Sequence, residues 1–261
     1  MNNQTINEIK NRDLDPCLFS IYFIPCSIYV NKGNDYIKEQ QVYSIVACNI
    51  HGKRKYITSV FADEYVKTSD WYDLFVTWKQ KGLSTILFAV IPDNVCLSKA
   101  LSLAFSEIKC FLSCFDTINK VKTYFSVKYS FAFIEKIKNI IIAKDINEFN
   151  LKKQEFLNEN IKYPFIYDLI EEDLKIASKY LDIPYILRKH IYSFYFSRDF
   201  IRKLNSISHF TPYPSSLDEF EEHLIYAIQA IELRMYCGKE EWNEIISIVY
   251  KEKKDLLIKY L

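Results

Sequence analysis

The sequence predicts an α/β fold, with a sheet in the first half and a helical C-terminal half. Two observations set the class. Three apolar, β-prone runs between residues 19 and 62 are separated by turn-rich stretches, the pattern of an antiparallel meander. The hydrophobic period then lengthens to that of a helix on either side of one continuous apolar run at 84–91, the pattern of crossovers around a buried central strand.

Each element has its own reason. "FSIYFIPCSIYV" (19–30) and "QQVYSIVACNI" (40–50) are strands joined by the turn "NKGND" (31–35). "HGKR" (51–54) is a tight turn into "KYITSVFA" (55–62). "TSDWYDLFVTWKQKG" (68–82) places Trp71, Leu74, Phe75 and Trp78 at helical spacing, with a Ser/Asp start and Gly82 as the stop. The strand "STILFAVI" (84–91), the helix "CLSKALSLAF" (96–105) and the strand "EIKCFLSCF" (107–115) follow. From 116 onward the periodicity is helical, broken at Asn158–Asn160, Pro184 and "HFTPYPSS" (209–216), with amphipathic helices over 217–236 and 240–261. The order β-β-β-α-β-α-β is that of the ribonuclease H-like fold: three antiparallel strands, then crossover-linked strands expected to be parallel. The expected organisation is an N-terminal lead-in (1–18), a main domain (19–208) with a helical insertion at about 116–183, and C-terminal helices (209–261).

Composition narrows the chemistry. The 261 residues carry 34 basic and 33 acidic side chains, a net charge of +1, so no global charge marks a nucleic-acid binder. Four glycines leave no Gly-rich phosphate loop. Seven cysteines, an odd number without a CxxC pair, fit reduced thiols in a cytoplasmic location. The longest apolar run, "ILFAVI" (86–91), is too short to cross a membrane, so no membrane partner is expected. The 20 Tyr and 19 Phe read as the product of a low-GC genome rather than a base-stacking surface. His51, His190, His209 and His223 have no Ser or Cys partner at a suggestive spacing. Trp71 and Trp78 read as core, and "EEDLK" (171–175) and "DEFEEH" (218–223) as solvated helix faces.

Several stretches, in this order, resemble the mutator-type transposases of bacterial insertion sequences. They are "NRDLD" (11–15), "VYSIVACNIHGKRKYI" (42–57), "DWYDLFVTWKQKGLSTILFAVIPD" (70–93), "KYPFIYDLI" (162–170), "PYILRKHIYSFYFSRDFIRKL" (184–204) and "HFTPYPSSLDEFEEHLIYAI" (209–228). The resemblance spans roughly 11–245 and rests on order and spacing, not on one motif. It implies DNA transposition by three carboxylates that hold two divalent metals. Carried over residue by residue, the first carboxylate falls at Pro25 or Cys26, the second at Pro92 and the third at Arg198. The family's Cys-x-x-His pair falls on Leu112 and Phe115, and its Thr-Thr-Asn on Ser193, Phe194 and Tyr195. Only about ten residues precede "NRDLD", so recognition of terminal repeats in the family's manner is not expected.

The resemblance therefore implies a transposase-like pseudoenzyme that needs no cofactor. Pro offers no ligand, and Arg198 brings a permanent cation to the metal position. A salt bridge from Arg198 to Asp93 or Asp199 is expected in place of the metal. Such a protein acts by binding DNA, a further copy of itself or a related transposase. Arg188, Lys189, Arg198, Arg202 and Lys203 are the candidate phosphate-contacting residues, with ordinary surface charge as the plainer reading. The alternative is an active metal-dependent transesterase or nuclease that uses the displaced acids Asp93 and Asp199 with Mg²⁺ or Mn²⁺. The displacement matters, because one step along a strand turns a side chain to the other face.

Overall fold

The computed structural model describes residues 11–33, 36–62, 66–113, 117, 121, 123–125, 127–160, 164–192, 200, 203–204, 206–207, 213–228, 232 and 237–260. The chain divides into two compact units, Met1–Phe111 with Tyr195–Leu261, and Leu112–Phe194. The strands are β1 (Cys17–Asn31), β2 (Ile37–Asn49), β3 (Arg54–Ala62), β4 (Thr85–Ile91) and β5 (Lys109–Leu112). The helices are α1 (Thr68–Gln80), α2 (Val95–Ala104), α3 (Val127–Ile141), α4 (Ile146–Glu159), α5 (Pro164–Ser178), α6 (Tyr185–Tyr192), α7 (Leu217–Ile228), α8 (Lys239–Glu252) and α9 (Lys254–Leu257).

The first unit is built on a mixed five-stranded sheet in the order β3-β2-β1-β4-β5. β1 pairs antiparallel with β2, and β2 antiparallel with β3. β4 pairs parallel with β1, from Cys17↔Thr85 to Tyr22↔Val90. β4 is buried along its whole length, which is why its sequence lacks alternation. β5 is shorter than the run 107–115 suggests: Ile108 N–H returns to Phe105 O (3.3 Å), so the start of that run closes a turn.

One face of the sheet carries α1 and α2. Leu18, Ile21, Phe23, Ile45, Ala47, Ala89 and Ile91 meet Trp71, Phe75, Trp78, Leu97 and Leu101 in one core. Phe23 stands edge-on to Trp71, with ring centroids 5.7 Å apart. Burying each such side chain contributes about 2–3 kcal/mol. α1 stops at a glycine for a conformational reason: Gly82 has φ +99°, and Leu83 N–H turns back to Trp78 O (3.1 Å).

The opposite face carries the C-terminal helices. In β1 the register passes from Leu18↔Asn49 to Ser20↔Cys48, so Phe19 is an extra, bulged residue. The bulge turns Phe19 towards Trp242 of α8, with centroids 4.8 Å apart. Trp242 donates its indole N–H to Ile50 O (3.0 Å) at the β2–β3 turn. Gly52 in that turn has φ +75°, and a Cβ there would lie 2.8 Å from Trp242 Cδ2. Of the helix read over 217–236, α7 is described to Ile228, and residues 229–231 and 233–236 lie outside the described residues. The helix read over 240–261 is interrupted: α8 ends where Lys253 leaves helical geometry (φ −128°) and its Nζ reaches Glu107 O (3.0 Å), and α9 follows.

In the second unit, α3 packs on α4 and α5, and α4 on α5. Asp145 caps α4 by accepting Glu148 N–H (2.9 Å), while Glu148 Oε2 accepts the N–H of Lys144, the residue before the cap (2.6 Å). α4 ends at Glu159 and α6 begins after Pro184, at two of the breaks read from the sequence. Among the described residues, no helix is long and apolar enough to cross a membrane.

Candidate active-site region

The parallel register places the end of β4 beside the middle of β1. The pairing runs to Tyr22↔Val90; Pro25 lies three residues further along β1 and Pro92 two residues beyond Val90. The first two expected carboxylate positions therefore stand near each other, one in the middle of β1 and one just past the end of β4. Pro25 removes a donor, and it does so beyond the stretch where β1 is paired with β4.

Strand alternation separates Pro25 from Cys26. Ile21 and Phe23 belong to the core under α1, and Pro25 follows them on that face. Tyr22 and Ile24 are buried outside that core, and Cys26 follows them on the opposite face. On β4, Ala89 and Ile91 belong to the α1 side, whereas Phe88 packs against Phe19 on the other. Carried one residue past β4, the alternation puts Pro92 on the face of Cys26.

The chemistry at these positions is not that of a metal site. Pro92 is buried and offers no ligand atom on its side chain. Cys26 is half-buried, burial pushes its thiol up to about 12, and its soft sulfur suits a hard ion such as Mg²⁺ poorly. Asp93 is exposed in the bend after β4. The next residue, Asn94, caps α2 by accepting Leu97 N–H (2.9 Å), and its Nδ2 lies 3.4 Å from Tyr43 Oη. Among the described residues, no group of three or more His, Cys, Asp or Glu side chains is placed to hold a metal. The two Mg²⁺ or Mn²⁺ ions that the resemblance implies do not fit Cys26 and Pro92. Arg198 and Asp199 lie outside the described residues, as do Ser193, Phe194, Tyr195 and Phe115. Leu112 is half-buried at the end of β5.

The candidate basic stripe does not hold together as read. Arg188 is 1% exposed, so it presents no charge to solvent. Its Nε donates to Ile183 O (2.8 Å), Nη1 to Ala143 O (2.7 Å) and Nη2 to Lys144 O (2.7 Å). The planar fork of a guanidinium suits three carbonyls, because it ties the α3–α4 connection to the approach to α6. Lys189 and Lys203 are half-buried, and Arg202, like Arg198, lies outside the described residues.

Two acidic runs also need correction. In "EEDLK", Asp173 is buried on α5; in "DEFEEH", Glu221 is 7% exposed. Glu221 Oε1 accepts from Tyr56 Oη (2.7 Å) and Ser59 N–H (3.3 Å). Tyr56 Oη also meets Ser59 Oγ (2.8 Å), which lies 3.2 Å from Ser44 Oγ. Nearby, Glu232 Oε1 accepts Tyr56 N–H (2.9 Å) and Arg12 Nη2 (2.6 Å), and Arg12 Nη2 also donates to Tyr56 O. Burial, then the Glu221 carboxylate, raises the Tyr56 hydroxyl well above its ordinary range. The sequence does carry one signal of this network, because Glu221 falls between Phe220 and Leu224 on the apolar stripe of α7.

A pocket of about 250 Å³ opens at the other end of β1, lined by Asp15, Cys17, Asn49, His51, Lys259 and Tyr260 among others. Lys55 Nζ lies 2.9 Å from Asp15 Oδ2, an ion pair whose geometry falls short of a hydrogen bond.

The family model of the mutator-family transposases matches residues 2–209, well over half of the chain. The chain belongs to the mutator family of transposases. Among solved structures, it is similar to the Drosophila P element transposase in a strand transfer complex. That match has 11% identity and a TM-score of 0.32, and covers 96% of this chain and 70% of the other. No curated protein matches it. For a mutator-family chain, the resemblance puts carboxylates at Pro25 or Cys26 and at Pro92.

Proposed function

We propose that this mutator-family protein is a catalytically inactive relative of a transposase, with a ribonuclease H-like core, that acts by binding DNA. The core assignment is supported by the sheet order β3-β2-β1-β4-β5 with β1 and β4 parallel. Inactivity is supported by one observation above the others. Where the end of β4 meets the middle of β1, strand alternation carried one residue past β4 puts a thiol, Cys26, and a proline, Pro92, on one face. Strand transfer by two metals requires carboxylates there, so no metal cofactor is assigned. The phosphate contacts are assigned to Lys189, Arg198, Arg202 and Lys203, without Arg188. Self-association and pairing with an active relative remain within this proposal, as does a reducing, cytoplasmic setting.

A second reading has its own support: Asp93 is exposed just past the end of β4. In it, Asp93 and Asp199 hold Mg²⁺ or Mn²⁺ and the protein cleaves DNA. One experiment separates the two. Mn²⁺ is titrated calorimetrically into the full chain, and the same sample is assayed for nicking of supercoiled plasmid and for anisotropy of a labelled duplex. The expected outcome is salt-sensitive DNA binding with neither Mn²⁺ binding nor nicking. Micromolar Mn²⁺ binding with nicking that disappears in Asp93→Ala would establish the second reading.

A further inference from the structure

We propose that Cys48 and Cys237 are a thiol pair that closes into a reversible disulfide, stapling the segment between α7 and α8 to β2. The inference rests on how that segment is pinned. Cys237 lies midway between Glu232 and Trp242 in the chain. Glu232 is fixed to Tyr56 N–H (2.9 Å), and Tyr56 stands opposite Val46 on β2. Trp242 is fixed to Ile50 O (3.0 Å). The two anchors therefore fall two residues to either side of Cys48, on the stretch 46–50.

The facing is also right. Ala47 belongs to the core under α1, so Cys48, its neighbour, points to the face carrying the C-terminal helices. Val46, two residues away on that face, lines a small cavity with Ile228 and Glu232. Cys48 is fully buried and Cys237 half-buried, and neither is in a disulfide in this structure. Burial raises the Cys48 thiol, the nearby Cys237 raises it further, and the Arg54 guanidinium, paired across from Cys48 on β3, lowers it. Both neighbours are thus within electrostatic reach of Cys48.

The chemistry balances with a low-molecular-weight disulfide as oxidant. The Cys237 thiolate attacks it, releases one small thiol and holds the other half as a mixed disulfide. The Cys48 thiol, giving up its proton as it attacks, then displaces the second small thiol. Two protein thiols and one small disulfide give one protein disulfide and two small thiols. The bond would close a loop of roughly 190 residues that contains the whole second unit, so it restrains the unfolded chain strongly.

The test is incubation of the full chain with oxidised glutathione, followed by digestion without reduction and mass spectrometry. The expected product is a Cys48–Cys237 linked peptide, absent in Cys237→Ser and lost on treatment with dithiothreitol. The oxidised protein should melt roughly 5–10 °C higher than the reduced one. Circular dichroism of Cys237→Ser checks that the variant folds, and Cys48→Ala serves as the second variant. Glutathione retained on Cys237 alone, or linkage shared among Cys17, Cys26, Cys96 and Cys110, would overturn the inference.

Discussion

Glu232 accepts the backbone N–H of Tyr56 at 2.9 Å, on the outer edge of the sheet. β3 pairs with β2 alone, so its other side would expose unpaired backbone groups. Side chains close that edge instead. Glu232 takes the Tyr56 N–H, Arg12 donates to the Tyr56 carbonyl, and Glu221 takes the Ser59 N–H (3.3 Å). Edge strands left open are templates for intermolecular pairing, and here the lead-in segment and the C-terminal helices do the covering.

Glu232→Ala should therefore both destabilise and promote association. It leaves the Tyr56 N–H and the Arg12 guanidinium without their carboxylate. The loss is expected to be about 2 kcal/mol, the range for a buried donor left unpaired. Urea unfolding measures it, and light scattering at rising concentration reads the opened edge. An unchanged urea midpoint would mean the edge is closed by something else.

The Tyr56–Glu221 pair predicts an alkaline limit to stability. The Tyr56 hydroxyl is held well above 10.0 by burial and then by Glu221. Burial also pushes Cys17 and Cys26 up to about 12 and Cys110 up to about 11. In the unfolded chain, thiols titrate near ~8.5 and tyrosines near ~10. Above those values the unfolded state releases protons that the folded state keeps, so stability falls as pH rises. The denaturant midpoint should be flat between about pH 6 and 8 and fall steeply between about pH 9 and 11. Tyr56→Phe should lower the plateau by about 1–2 kcal/mol, for the lost bond to Glu221, and flatten the decline above pH 10. The same slope in both proteins would remove Tyr56 from the account.

How far the sequence could be read follows from what each residue's neighbours in the chain reveal. β1 through α2 were legible because their signals are local: apolar runs, the Trp71–Phe75–Trp78 spacing and Gly82 as a stop. The clustering of Cys26 and Pro92 was legible only in part. The resemblance left Pro25 and Cys26 as alternatives, and which face each takes needed the Phe19 bulge and the β1–β4 register, both properties of pairing between distant segments. Arg188 and Glu221 were misread for one reason. A charged residue on a helix looks solvated until its partners are known, and theirs lie 45 and 165 positions away, at Ala143 and Tyr56.

Arg188 should prove a stability residue rather than a DNA contact. Lys keeps the charge but cannot reach three carbonyls at once. Arg188→Lys is expected to cost about 2–3 kcal/mol, because the abandoned carbonyls of Ile183, Ala143 or Lys144 stay buried without donors. Chemical denaturation followed by circular dichroism checks this, since the second unit is helical. Duplex affinity, measured where the variant is still folded, should be unchanged. A weakened affinity with undiminished stability would return Arg188 to the nucleic-acid surface.

Putting carboxylates back tests which β1 position faces the β4 end. If alternation holds, Cys26→Asp with Pro92→Asp places both groups on the face opposite α1, where they can share one cation. Pro25→Asp with Pro92→Asp splits them across the sheet. Mn²⁺ titrations of the two double variants, each checked for folding, should differ by at least about tenfold in favour of the Cys26 pair. About 1.4 kcal/mol suffices for that difference, and a carboxylate turned to the other face contributes no bond. Neither variant is expected to nick plasmid, because Arg198 still brings its cation where the resemblance requires a third acid. Equal affinities would mean the chain leaves strand geometry before Pro92, and tighter binding by the Pro25 pair would place the ancestral site on the α1 side of the sheet.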